Sequence, residues 1–218
     1  MGANSWFSIA AIRVTSSWRG LLSPPKKRHK KRVLALFVCS LAWTAAASAQ
    51  QHAIDVKKSV MTVHVFKSGV FSALGHNHEI AAPIAGGTVD LTARQVELHT
   101  SARTLQVRDA EVSDKDRAEI QSTMLGPDVL NAEQHPEIVF RSSGVEPMGA
   151  GSWMVRGNLT LHGETRPVTV EVRERDAHYV GTSRFKQTDF GMKPVKVAGG
   201  TVRVKDEVRI EFDIQLMR

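Results

Sequence analysis

Residues Met154–Arg173 read MVRGNLTLHGETRPVTVEVR. Val155, Gly157, Leu159 and Leu161 alternate with Met154, Arg156, Asn158, Thr160 and His162. After a polar break at Gly163–Arg166, Val168, Val170 and Val172 alternate with Thr169, Glu171 and Arg173. A period of two on both sides of a turn predicts an antiparallel hairpin. Each strand then offers one apolar and one wet face.

The same grammar recurs on either side. Met61, Val63 and Val65 alternate with Thr62, His64 and Phe66. Thr88–Leu91 and Val96–Thr100 flank a polar turn at Thr92–Gln95, and Leu105 and Val107 extend it. Glu137–Ser142 and Tyr179–Lys186 read as strands, and Gly191–Pro194 as a bend. Val202 and Val204 start a further strand, and Val208, Ile210, Phe212, Ile214 and Leu216 form the cleanest apolar row. The period changes once. Ser113 followed by Asp116 is a capping-box-like start, and Ala118, Ile120, Met124 and Leu125 fall near helical spacing. Gly126-Pro127 ends that helix, because proline cannot donate the next hydrogen bond. About eight strands and one helical insertion predict an antiparallel barrel or sandwich.

The net charge of +7 belongs to the N-terminus. Residues 1–49 hold eight basic side chains and no acid, leaving 21 basic against 22 acidic groups beyond them. The basic balance is therefore no argument for nucleic-acid binding. Lys26–Arg32, the apolar run Val33–Ala47 and Ala47-Ser48-Ala49 have the three parts of a secretory signal peptide. The expected domain organisation is a signal peptide with a long N-terminal extension over residues 1–49, then one domain over 50–218. Cleavage is expected after Ala49, with the mature chain beginning at Gln50 and a periplasmic or secreted location. An uncleaved membrane anchor is the competing reading. Cys39 is the only cysteine and lies within the apolar run, so the mature chain has no disulfide framework.

Catalytic signatures are weak, and no catalytic residue is assigned. There is no G-x-S-x-G elbow. Asp114 and Asp116 sit where acids favour the positive end of a helix dipole. Gly199-Gly200 reads as a hairpin turn, and Arg103 and Arg108 as surface pairs rather than partners of an anionic head group.

Five segments carry a resemblance to a known family. They are Ile54-Asp55 with Ser59 and the Met61/Val63/Val65 strand; Phe71–Gly75; LNAEQHPEIVFRS at Leu130–Ser142; the hairpin Val155–Val172; and Asp189-Phe190-Gly191 followed by Val202–Ile214. In that order the chain resembles the YceI-like family over Ala53–Met217. The resemblance implies a mainly β, lipocalin-like eight-stranded antiparallel barrel with a short helical insertion. It also implies a non-enzymatic exported protein that holds a polyisoprenoid, an isoprenoid quinone or another long-chain amphiphile. The cavity lining chosen by alternation and family position is Val63, Val65, Phe71, Phe140, Leu159, Leu161, Val168, Val170 and Phe212. The residues alone fit a side-chain-filled core equally well. No cofactor is expected beyond such a lipid or quinone. The expected partners are a lipid-like molecule and, transiently, a membrane, with homodimer formation left open.

Gly75-His76-Asn77-His78 departs from the pattern of that family, which has apolar or small residues near here. If the segment is a strand, His76 and His78 share one face of it. A structural or solvated pair is the plain reading, and a metal- or haem-binding sensor module the alternative.

Overall fold

The computed structural model describes residues 51–68, 77–197 and 202–217. Phe71, His76, the leader with Cys39 and the Gly199-Gly200 turn lie outside the described residues. The strands are β1 (Gln51–Ala53), β2 (Val60–Ser68), β3 (His78–Ala81), β4 (Ile84–Asp90), β5 (Gln95–Ser101), β6 (Gln106–Val107), β7 (Glu137–Gly149), β8 (Ser152–Leu161), β9 (Glu164–Arg175), β10 (His178–Lys186), β11 (Lys196–Val197) and β12 (Val202–Gln215). One helix, α1 (Asp114–Leu125), stands between β6 and β7. The sheet order is β1-β4-β5-β7-β8-β9-β10-β12-β2-β3-β6, with β11 beside β12. All of these pairings are antiparallel.

The fold class is the mainly β barrel that the alternation and the resemblance imply, but the strand count is twelve rather than eight. Three long staves are each broken once. The first breaks between β1 and β2, and the second at Ala82-Pro83, where proline cannot donate to the ladder. The third breaks at the 3₁₀ turn Ala102–Thr104. β1 pairs with β4, and β2 with β3, so the first two staves run side by side along their whole length. Ile54 then closes the curl. Its N–H donates to the Gly87 carbonyl at 3.0 Å, and it bridges Leu216 at the end of β12. The Asp55 and Met217 amides donate to the carbonyls of Gln215 and Ala53, both at 2.8 Å. The curled sheet thus returns on itself, which protects its long edges.

The hairpin Met154–Arg173 turns earlier than its polar residues imply. β8 and β9 are joined by His162-Gly163 alone, and Leu161 faces Glu164. A two-residue turn of this kind needs positive φ at both positions. Gly163 stands at φ 79° and His162 at 54°, and histidine is among the few side chains that tolerate this region. The His162 Nδ1 lies 2.9 Å from the Phe190 carbonyl oxygen, tying the turn to the next layer. The last two apolar rows also merge. β12 runs unbroken from Val202, with a register shift between Val204 and Val208. At that shift the Asp206 carboxylate accepts from the Thr188 amide at 2.9 Å and from its hydroxyl at 2.7 Å.

α1 begins and ends as its sequence dictates. The Ser113 hydroxyl accepts from the Asp116 amide at 3.1 Å and donates to its carboxylate at 2.8 Å. Gly126 caps the other end. Met124 is buried, and Ile120 and Leu125 are half-buried, but Ala118 is exposed. Only one narrow edge of the helix meets the barrel. Gln121 fixes it there: its amide nitrogen donates to the Leu105 carbonyl at 2.8 Å, and its carbonyl accepts from the Val107 amide at 2.8 Å. That clip satisfies one backbone group on β6 and one just before it, where the strand order ends on one side.

Candidate functional site

Inward-facing residues of successive strands enclose a cavity of about 620 Å³. This falls within the range of roughly 300–1,000 Å³ usual for ligand pockets. β2 supplies Met61, Val63 and Val65; β8 and β9 supply Val155, Leu159, Leu161, Val168 and Val170; β12 supplies Val208, Ile210 and Phe212. Close-packed interiors leave no space of this size, so the apolar rows do not meet as a filled core.

Two glycines help to keep the interior open. A Cβ on Gly157 would collide with the Phe140 ring and the Arg141 carbonyl oxygen, and one on Gly181 with the Phe212 ring and the Glu171 carbonyl oxygen. Each ring occupies the space that a side chain on the neighbouring strand would need. Phe140 and Phe212, two of the three phenylalanines in the predicted lining, therefore lie back along the wall.

Of the lining residues expected from the sequence, Val63, Val65, Phe140, Leu159, Leu161, Val168, Val170 and Phe212 border this one cavity. Phe71 is outside the described residues. Trp153, Tyr179, Val208 and Ile210 line it too. The signal for the last two lay in the alternation of β12, and for Tyr179 at the start of the strand read over Tyr179–Lys186; Trp153 stands one residue before the quoted hairpin.

Polar side chains in the wall are mostly turned to the backbone. The Thr100 hydroxyl donates to the Pro83 carbonyl, the Ser183 hydroxyl to the Thr169 carbonyl at 2.8 Å, and the Gln187 amide to the Lys205 carbonyl at 2.8 Å. Charged groups collect towards the ends. Lys67, Asp116, Glu119 and Arg203 border the cavity near α1 and the adjoining ends of β2 and β12, while Asp90 and Arg94 border it at the β4–β5 turn. Tyr179 has its pKa raised, first by burial and then by the negative charge of Glu174.

His78 also borders the cavity. Its Nδ1 lies 2.6 Å from Oδ2 of Asp109, whose Oδ1 accepts from the Glu79 amide at 2.8 Å. Among the described residues no three His, Cys, Asp or Glu side chains are grouped to hold a metal ion. His64 points outward, 3.1 Å from Glu211. Arg103 directs its guanidinium to the carbonyls of Ala132 and Glu133, and Arg108 donates to Gln106.

The YceI-like domain matches residues 52–216. The chain belongs to the YceI-like family. It is 30% identical over 177 residues to a UPF0312 protein of Shewanella sp. (strain W3-18-1), covering 75% of this chain and 88% of that protein. A UPF0312 protein of Vibrio cholerae is 24% identical over 195 residues, covering 84% of this chain and 97% of that one. In structure, the barrel is similar to BcnA of Burkholderia cenocepacia, with a TM-score of 0.52 and 21% identity, over 74% of this chain and 98% of that chain. At that identity the likeness establishes the fold. The cavity described above is thus the interior of a YceI-like barrel.

Proposed function

We propose that this protein is an exported, non-enzymatic carrier that encloses the tail of an isoprenoid, an isoprenoid quinone or another long-chain amphiphile. The observation that supports this reading most directly is the mainly apolar wall around about 620 Å³ of space. Burial supplies the binding energy. Each methylene removed from water contributes about 0.8 kcal/mol, offset in part by ordering of the flexible tail. Such a site selects for length and shape of the tail ahead of its detailed chemistry. The basic, then apolar, then small-residue pattern of residues 26–49 supports export to the periplasm or beyond.

Organic extraction of the purified protein, followed by mass spectrometry, tests the proposal. A co-purifying polyprenyl or long-chain species is the expected result. Finding no lipid, together with no uptake of added quinones or polyprenols, would overturn it.

A further inference from the structure

We propose that His78, oriented by Asp109, is a polar anchor for a ligand head group that carries a hydroxyl. This rests on the reading of the cavity as a lipid site and assigns the head-group chemistry within it. The alternation Leu105, Val107, Asp109 places the carboxylate on the same inward side as two buried apolar residues. The Asp109 side chain is 5% exposed and that of His78 is 20% exposed. A carboxylate is costly to bury unless it is well bonded. This one accepts twice, from the Glu79 amide and from the His78 ring.

The carboxylate fixes the ring. With Nδ1 directed at Asp109, a neutral imidazole carries its proton there and turns the lone pair of Nε2 away from Asp109. His78 borders the cavity, and Nε2 is its remaining ring nitrogen. Thr100, Ser183 and Gln187, by contrast, direct their donors at backbone carbonyls. A lone pair beside an apolar tunnel selects a hydrogen-bond donor. It favours a phenol, a hydroquinone or an alcohol over the corresponding ether or ketone. Lys67, Asp116, Glu119 and Arg203 border the same cavity, but none of them presents a neutral acceptor.

The test uses three probes of equal tail length: 4-octylphenol, 4-octylanisole and 4-octylacetophenone. Binding to the whole chain is compared with binding to His78→Leu and Asp109→Asn. We expect the phenol to bind about five- to tenfold more tightly than the anisole, the worth of one hydrogen bond. His78→Leu should bind the anisole as before and lose the preference. In Asp109→Asn the amide oxygen keeps the Glu79 contact while its N–H₂ faces Nδ1. The ring proton then moves to Nε2, and the acetophenone should gain on the phenol. Equal wild-type binding of phenol and anisole would overturn the anchor and leave the cavity reading intact. An undiminished preference in His78→Leu would also overturn the anchor. Binding of none of the probes would overturn both.

Discussion

The rings of Trp153 and Tyr179 meet on the cavity wall, with centroids 6.1 Å apart and planes tilted by 48°. They stand on β8 and β10, with β9 running between. Tyr179 is the only tyrosine in the chain, and Trp153 is the only tryptophan beyond residue 49. The cavity therefore carries two built-in reporters.

Occupancy should register on Trp153. A long-chain amphiphile entering the cavity displaces water from beside the indole and should shift its emission to shorter wavelength in a saturable way. A quinone-headed probe should quench it. The difference between the wild type and Trp153→Phe removes the background of Trp6, Trp18 and Trp43. An unchanged difference spectrum at saturating probe would show that the tail does not reach this part of the wall.

Tyr179 should titrate above its ordinary value of 10.0, because burial and then Glu174 disfavour the phenolate. Tyrosinate absorbance at 295 nm reads this directly, and Glu174→Gln should lower the midpoint without abolishing the shift. The folded state favours the neutral phenol. Its contribution to stability is therefore complete below the unfolded-state value and is lost as pH rises through the raised folded value. A midpoint at or below 10.0 would contradict the burial.

Gly157→Val should push against both the Phe140 ring, which moves off the wall, and the Arg141 carbonyl, which no change at Phe140 relieves. The expected cost is about 1–3 kcal/mol in urea unfolding, with reduced capacity for long tails. Phe140→Ala alone enlarges the cavity. Combined with Gly157→Val it should recover part of the loss, so the double-mutant cycle gives a favourable coupling between the two sites. Additive effects would mean that the ring and the glycine act independently.

Gln121→Ala should loosen α1 selectively. It leaves the Val107 amide and the Leu105 carbonyl without the partners they have here, which costs about 1–3 kcal/mol for groups kept from water. Hydrogen exchange should quicken in α1 and β6 while β8 and β9 stay protected. Uniform acceleration across the sheet would show that the helix is integral to the barrel rather than clipped to it.

Much of this was legible along the chain. Alternation named the inward rows correctly on β2, β8, β9 and β12, because strand side chains have a fixed period whatever they pack against. Ser113 and Gly126-Pro127 marked the helix ends because capping is local chemistry. The hairpin turn was misplaced because polarity pointed to Gly163–Arg166, whereas backbone geometry selected His162-Gly163. The strand count missed the interruptions that divide three of the staves.

The residues of this chain by themselves determined the class of fold and which side chains face inward, since both follow from periodicity and short-range turn chemistry. Only the tertiary structure decided that the inward rows surround a space instead of filling it. That outcome depends on rings lying over glycines of neighbouring strands, Phe140 over Gly157 and Phe212 over Gly181. It depends also on Asp109 reaching His78 across 31 positions. Such relations are set by register between strands, which no local pattern in the sequence encodes.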